Sequence, residues 1–550
     1  MSPLRRPASR TRPHLERLED RCVPSAAVPD ALGGPIRAED LATLTGTLTN
    51  DTYVGELYAL HNTGQTVGSP QGFSDPGTAD ADIDAAEAWD LTVGSTTVTV
   101  GVIDTGIDYT HPDLYLNVWI NQEEIPPAVR ARLLDLDGDG LFTFWDLNDA
   151  RNQGAGKITD RNGNGRIDAG DILKTVKQGG WADGIDQDPF STNGKSYSFK
   201  DDLVGWNFVA NTNNPFDDNG HGTHVAGTIG AVGNNGVGVV GVAWKAQVAG
   251  LKFMNRLGYG DVNNAAKAVD YAVGNGMRVT NNSWGVSAYS ATLYAAVSNA
   301  NVHGQVFVAA AGNSGSDNGT AAVYPANFDL PNVVVVAATD NDDRLAAFSN
   351  YGSATVDLAA PGVNIASTIP GAYAFGGGTS MAAPHVTGAV VLLLAREGNL
   401  TPAQVIQRLM GTVDPLAGLA GKVATGGRLN LYRALTSTVG SPGGASGGQS
   451  GDGGGEGGPF SGSMVVIGDA SDGSVVFALL AGSTPRPAAI DPGRPVQPDA
   501  PTTASDALFR EGNIDEAPAT DTPRSRRSAA APDEVVAALL DVVLVELFPA

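Results

Sequence analysis

The chain has 550 residues, 42% of them apolar, with 34 basic against 59 acidic side chains and a formal charge of −25. That balance excludes nucleic acid or an anionic membrane as the main partner, because phosphate binding needs clustered Lys and Arg. A single cysteine, Cys22, excludes any intrachain disulfide, so stapling must come from packing or metal, and 71 Gly with 32 Pro mark part of the chain as linker.

Residues 1–21 hold six arginines and three acids with no continuous apolar run, unlike the charged start and apolar centre of an ordinary signal peptide. The stretch LERLEDRCVPS at 15–25 resembles an N-terminal signature that precedes many large exported bacterial proteins, and Cys22 falls within it. Residues 1–52 therefore read as an export-associated or pro-segment, and the protein as extracellular or at the cell surface. From 53 to 437 the text alternates strands and helices. TTVTVGVID (96–104), QVAGLKF (247–253), RVTNNSW (278–284), QVFVAAAG (305–312) and NVVVVAAT (332–339) are short, continuous apolar runs ended by polar or Gly residues. Such runs fit strands buried on both faces. VNNAAKAVDYAVGNG (262–276) and SATLYAAVSNANVHG (290–304) read as helices between them. The alternation predicts an α/β fold with a mostly parallel sheet and an active site at the carboxyl ends of its strands. Residues 438–463 form a Gly/Ser-rich linker that cannot bury apolar surface, and 464–550 a low-complexity tail. Its piece DEVVAALLDVVLVELF (533–548) is interrupted by Asp541 and Glu546 and is short for a membrane span, so it reads as an amphipathic docking helix.

Among seven histidines, spacing selects His221 in DDNGHGTHVAGTIGAV (217–232), where flanking glycines allow close backbone approach and a helix starts at the ring. TVGVIDTGIDYTHPDL (99–114) ends a buried strand in Asp104, and GGGTSMAAPHVTGAVVLLLA (376–395) sets Ser380 before a long apolar helix. Each lies in a Gly-bearing loop at the edge of apolar structure, and acyl transfer needs all three types. A serine hydroxyl is a poor nucleophile until a base takes its proton, imidazole is that base near neutral pH, and a carboxylate fixes the imidazole tautomer. The first turn of the helix offers N–H groups to developing negative charge. Asn313 in VFVAAAGNSG (306–315) ends a strand and can aim an amide donor at an oxyanion.

These motifs resemble those of subtilisin-type serine peptidases, with Asp, His and Ser in that chain order, over roughly residues 53–437. The resemblance implies a three-layer subtilisin-like fold, with Asp104 as orienting acid, His221 as general base, Ser380 as nucleophile and Asn313 with the Ser380 N–H as the oxyanion hole. LGYG at 257–260, with Gly258, Tyr259 and Gly260, resembles the extended strand that pairs with substrate, and NSWG at 282–285, with Ser283, Trp284 and Gly285, the opposite wall. Main-chain pairing on both sides would accept extended peptides of many sequences. Ala310, Ala311 and Gly312 would line the primary pocket, with Val323 near its base. No acid lies there, so an apolar or aromatic side chain is expected over Lys or Arg. The resemblance also implies a stabilising calcium site with Asp113 and Asn235 as side-chain ligands and the carbonyls of Val237 and Val239. His61, His111, His224 and His385 sit beside these motifs and are assigned packing or hydrogen-bonding roles.

The 117-residue gap from Asp104 to His221 contains an insertion between about 120 and 205, and two of its segments share a frame. DLDGDGLFTFWD (135–146) places Asp135, Asp137, Asp139 and Asp146 around Gly140, and DRNGNGRIDAGD (160–171) places Asp160, Asn162, Asn164, Asp168 and Asp171 around Gly165. Calcium wants six to eight oxygens, and alternate side chains about a glycine turn supply them, with the carbonyls of Leu141 and Arg166 added. The pattern is EF-hand-like, with Asp in place of Glu at position 12. EEIPPAVRARLL and AGDILKTV are the candidate flanking helices. The sequence thus reads as a monomeric, secreted, calcium-stabilised endopeptidase acting on protein or peptide substrates, without organic cofactor or transmembrane span. Two rivals are a catalytically silent calcium-dependent adhesion scaffold, which would predict a damaged triad, and a peptide ligase using the same acyl-enzyme with an amine in place of water.

Overall fold

The structure, a computed structural model, describes residues 48–69, 72–73 and 76–438. The linker, the C-terminal tail with the helix expected at 533–548, and Cys22 lie outside the described residues.

The strands are β1 (Gly94–Asp104), β2 (Gly205–Asn207), β3 (Lys245–Lys252), β4 (Val279–Asn282), β5 (Val306–Ala310), β6 (Val333–Thr339) and β7 (Leu358–Pro361), of which β1, β3, β4, β5 and β6 are the five apolar runs. A hairpin follows, β8 (Ile365–Ile369) with β9 (Ala372–Gly376), and two short strands, β10 (Asp414–Pro415) and β11 (Gly427–Arg428), close the series. Nine of them make one sheet in the order β10-β11-β7-β6-β5-β4-β1-β3-β2. Every pair in it is parallel except β10 with β11.

The sheet is buried on both sides, and the pleat sorts its side chains between two cores. Val334, Val336 and Ala338 of β6 and Val306, Val308 and Ala310 of β5 face one apolar cluster; Val333, Val335 and Ala337, with Phe307 and Ala309, face the other. Successive residues alternate between the faces because the strand period is two. Helices α1 (His221–Gly230), α4 (Thr379–Arg396), α5 (Pro402–Gly411) and α6 (Leu431–Thr436) contribute to the first cluster, and α2 (Val262–Gly274) and α3 (Ala291–Val302) to the second. The result is the expected three-layer α/β fold. From β1 the chain builds outward to β3 and β2 on one side and to β4, β5, β6 and β7 on the other, so the topological switch point falls at β1, where open α/β sheets place their ligands.

The insertion folds against the first core through buried Phe144, Leu147, Ile158, Ile167, Ile172 and Trp181. Its expected flanking helices shrink to single turns, Pro127–Arg130 and Ala169–Ile172. Pro126 and Pro127 have no N–H to extend the first, and the second is followed by a 3-10 turn at Val176–Gln178. Among the described residues no helix is long and apolar enough to cross a membrane.

Arg428, 2% exposed, joins distant parts of the chain. Its guanidinium donates to both oxygens of Asp343 (2.6 and 2.8 Å), to the Asp80 carbonyl (3.0 Å) and to Asp414 (2.8 Å). Removing one partner of a buried ion pair strands the other charges. Arg428→Leu is expected to lower stability by about 3 kcal/mol, read as a lower guanidinium midpoint.

Candidate active site

Asp104 is the last residue of β1, fully buried, and its Oδ1 accepts from the Thr105 N–H at 2.7 Å. His221 opens α1, and its Nδ1 lies 2.8 Å from the same Oδ1. Gly222 makes this approach possible: a Cβ there would sit 2.1 Å from the Gly106 carbonyl oxygen and 3.1 Å from the Asp104 Cβ. Asp217, also buried, holds the start of α1 by accepting from the N–H groups of Asn219, Gly220 and Thr223 and from the Thr223 hydroxyl. Such an acid at a helix start satisfies donors that have no partner within the helix. Burial alone would lower the His221 pKa, but the Asp104 charge and hydrogen bond, with Asp217 nearby, raise it above the ordinary imidazole value.

Ser380 is the second residue of α4 and 5% exposed. Its Oγ donates to the Ser283 carbonyl at 3.2 Å rather than to His221. Asn313, just beyond β5, is oriented by a neighbour of the nucleophile. Its Oδ1 accepts from the Thr379 N–H (2.8 Å) and hydroxyl (2.9 Å), which leaves Nδ2 turned toward Gly378, where an added Cβ would meet it at 3.3 Å. Thr379 was not singled out in the sequence, although it stands within GTS.

The segments matched to a substrate cleft divide. Residues 257–260 do not form an extended strand. Asn255 and Tyr259 bond across a tight turn (2.8 Å), Gly258 sits at φ +76°, and only Gly260 bridges, back to Met254. Leu257 and Tyr259 stand exposed on this turn. Past β4, residues 283–285 belong to no strand. The Trp284 side chain belongs to the core instead, 4% exposed with its ring centroid 4.9 Å from that of Phe253. Ala310 and Ala311 are buried at the end of β5. Val323 lies beside both Gly285 and Gly312: a Cβ on Gly285 would meet Val323 Cγ1 at 2.6 Å, and one on Gly312 would meet Val323 Cγ2 at 3.6 Å.

The two loops of the insertion repeat one another in detail. Asp135 accepts from the N–H groups of Gly138 and Gly140, and Asp160 from those of Gly163 and Gly165. Position 12 accepts from backbone N–H groups in both loops. Asp146 accepts from Leu136 and Thr143, and Asp171 from Arg161, Asn162 and Asp168, so each buried carboxylate clamps its own loop. In the first loop Asp135, Asp137 and Asp139 bring carboxylate oxygens within 4.8 Å of one another. In the second, Asn162 and Asn164 turn their amide nitrogens to Asp168, and the Arg166 side chain reaches over the Tyr115 ring. At the third position Asn235 Nδ2 donates to Asp113 Oδ1 (2.7 Å), the Val239 N–H donates to Asp113 Oδ2 (2.8 Å), and the Val237 N–H donates to Asn235 Oδ1 (2.7 Å). Burial, with Asp51 adding to it, pushes Asp113 up to about 7. A further cluster escaped sequence reading: Glu124, Asp186 and Asp188 also converge within 4.8 Å, and burial, with Asp202 and Asp188 adjacent, pushes Glu124 up to about 9.

His224 and His385 are buried hydrogen-bonding rings held mainly by burial at about 4. Because these folded values lie below the unfolded one, both rings contribute stability that is lost as pH falls from 6.5 toward 4.

Fold and site together define an α/β protein with an acid, an imidazole and a hydroxyl gathered at the carboxyl edge of its sheet. The chain belongs to the subtilase family, whose peptidase model matches residues 95–437. It is 35% identical over 350 residues to the thermophilic serine proteinase of Bacillus sp. strain AK1, an alignment covering 64% of this chain and 64% of that protein. It is also similar to subtilisin Savinase of Lederbergia lenta, 44% identical over 213 residues (38% of this chain, 77% of that one), and to thermitase of Thermoactinomyces vulgaris, 41% over 232 residues (42% and 80%).

The raised His221 pKa depends on one carboxylate. An NMR titration of the ring should place it above 6.5 in the native chain, and Asp104→Asn should bring it below 6.5, leaving burial as the dominant influence. The pair's contribution to stability should be fully present below 6.5 and fade as pH rises through the native value.

Proposed function

We propose that the chain is a serine endopeptidase that hydrolyses protein substrates through an acyl-enzyme on Ser380. The observation that carries the reading is the Asp104–His221 bond at 2.8 Å on the same sheet edge as an Asn313 amide whose oxygen is held by Thr379. In this reading Ser380 Oγ leaves the Ser283 carbonyl, gives its proton to His221 Nε2 and attacks the scissile carbonyl. Asn313 Nδ2 and the Ser380 N–H receive the oxyanion, and His221 returns the proton to the leaving amine. A water molecule then loses its proton to His221 and cleaves the ester. Asp104 keeps Nδ1 protonated and offsets the imidazolium charge.

Substrate would lie extended along residues 283–285. The opposite wall would be the 255–260 turn, which supplies a short edge and the Leu257 and Tyr259 side chains. Small uncharged residues around Val323 suit an apolar or aromatic side chain in the primary pocket. The reading extends to a monomer exported from the cell, with the peptidase unit at 53–437.

Calcium stabilisation is part of the same proposal. The best-suited donors are Asp135, Asp137 and Asp139, whose hard carboxylate oxygens already converge. The Asp113 position fits as well, since a divalent cation would favour a carboxylate that burial otherwise drives toward protonation. The second loop fits less closely, its two asparagines being engaged with Asp168.

Ser380→Ala should retain the far-UV circular dichroism of the native chain and lose casein hydrolysis; hydrolysis at the native rate would overturn the assignment. EDTA should lower the melting temperature and added calcium restore it, while an unchanged melting temperature would count against structural calcium.

A further inference from the structure

Proline 384 lies inside α4, four residues after Ser380. In an α-helix the carbonyl of residue i accepts from the N–H of residue i+4, and proline has none. The nucleophile's own carbonyl is thus deprived of its helical donor at a buried position, where an unmade hydrogen bond is costly. Ser283 fills the gap: its Oγ donates to the Ser380 carbonyl at 2.8 Å. The arrangement is reciprocal, since the Ser380 Oγ donates to the Ser283 carbonyl at 3.2 Å. Behind Ser283 the network continues inward. Asn281 Nδ2 donates to Ser283 Oγ at 2.9 Å, and Asn281 Oδ1 accepts from the Thr387 hydroxyl at 2.8 Å, one helical turn beyond the proline. Ser283, Asn281 and Thr387 are fully buried.

From this geometry we infer that the Ser283 hydroxyl is a positioning residue for the nucleophile, replacing the backbone donor that Pro384 removes and fixing the α4 backbone at Ser380. The inference rests on the peptidase reading and gives Ser283 a role distinct from main-chain contact with substrate. The device has a reason in the chemistry. The missing N–H at Pro384 leaves the Ser380 carbonyl open to a side-chain donor from just past β4, so the nucleophile is tied to the segment proposed to bear substrate. When Oγ turns from the Ser283 carbonyl to His221, the bond from the Ser283 hydroxyl to the Ser380 carbonyl remains and the backbone N–H of Ser380 keeps its aim at the oxyanion.

The test uses the proline as a switch. Ser283→Ala should lower kcat by about tenfold, the loss expected from one buried hydrogen bond, with KM within about twofold. Pro384→Ala restores an N–H at position 384, so in that background Ser283→Ala should cost less than about threefold in kcat, a coupling that a double-mutant cycle reads directly. An equal loss in both backgrounds overturns the inference. Thr387→Val, nearly isosteric, provides a second reading should Ser283→Ala fold poorly: it should reduce kcat in the same direction, and an unchanged kcat contradicts the network. Pre-steady-state kinetics on the unmodified chain keeps the two readings apart. Absence of an acyl burst and of turnover there would sink the peptidase reading itself, whereas a normal burst with no coupling between positions 283 and 384 sinks only this one.

Discussion

The 2.8 Å contact between Asp104 and His221 is the interaction on which the rest of the site depends, and it is a demanding one. It brings the end of a central strand to the start of a helix 117 residues later, in a buried place. Two arrangements make it hold. The parallel sheet, covered on both faces, sends the carboxyl end of every central strand to one edge, so Asp104, Ser283 and Asn313 are delivered together without any local code. Gly222 then lets the helix approach the strand to a distance no side chain would permit. The elevated His221 pKa is a direct product of this closeness, since burial alone works in the opposite direction.

The insertion between the acid and the imidazole does not disturb that contact because it folds largely on itself. Its two loops satisfy their own amides with Asp135, Asp146, Asp160 and Asp171, and its apolar residues join the core beside β1. The charge balance acquires a structural reading from this. The thirteen acids that stand against eight bases between 135 and 202 include loop clamps, convergent oxygen clusters and acceptors of buried bonds from α2, such as Asp202, which accepts from the Tyr271 hydroxyl at 2.5 Å. A chain without disulfides in its described residues leans on side-chain to backbone bonds where a cysteine-rich protein would use crosslinks.

How much of this was legible follows from the range of the interactions involved. Continuous apolar runs predicted β1, β3, β4, β5 and β6 closely, and Ala-rich periodicity predicted α2 and α3, because burial on both sides imposes a local pattern. The motifs carrying Asp104, His221, Ser380 and Asn313 were legible because each is compact, with its own glycines. Some features depart from the likeness where local geometry overrides it. The 257–260 segment closes on itself through Asn255, and the Trp284 ring packs against Phe253. Position 12 of each calcium-like loop is absorbed by a capping box. Others were invisible because their partners are distant: Glu124 lies more than sixty residues from Asp186, and Ser283 is 97 residues from the carbonyl it supports.

In the proposed function, one hydroxyl at the carboxyl edge of the sheet is made nucleophilic by the groups around it. A fluorophosphonate probe tests this most directly, since it reacts with an activated serine and not with an ordinary one. Peptide mapping by mass spectrometry after labelling of the full chain should find the adduct on Ser380 alone, and denatured protein should take up none. A natively folded chain that remains unlabelled, or that carries the adduct on another serine, would contradict the account.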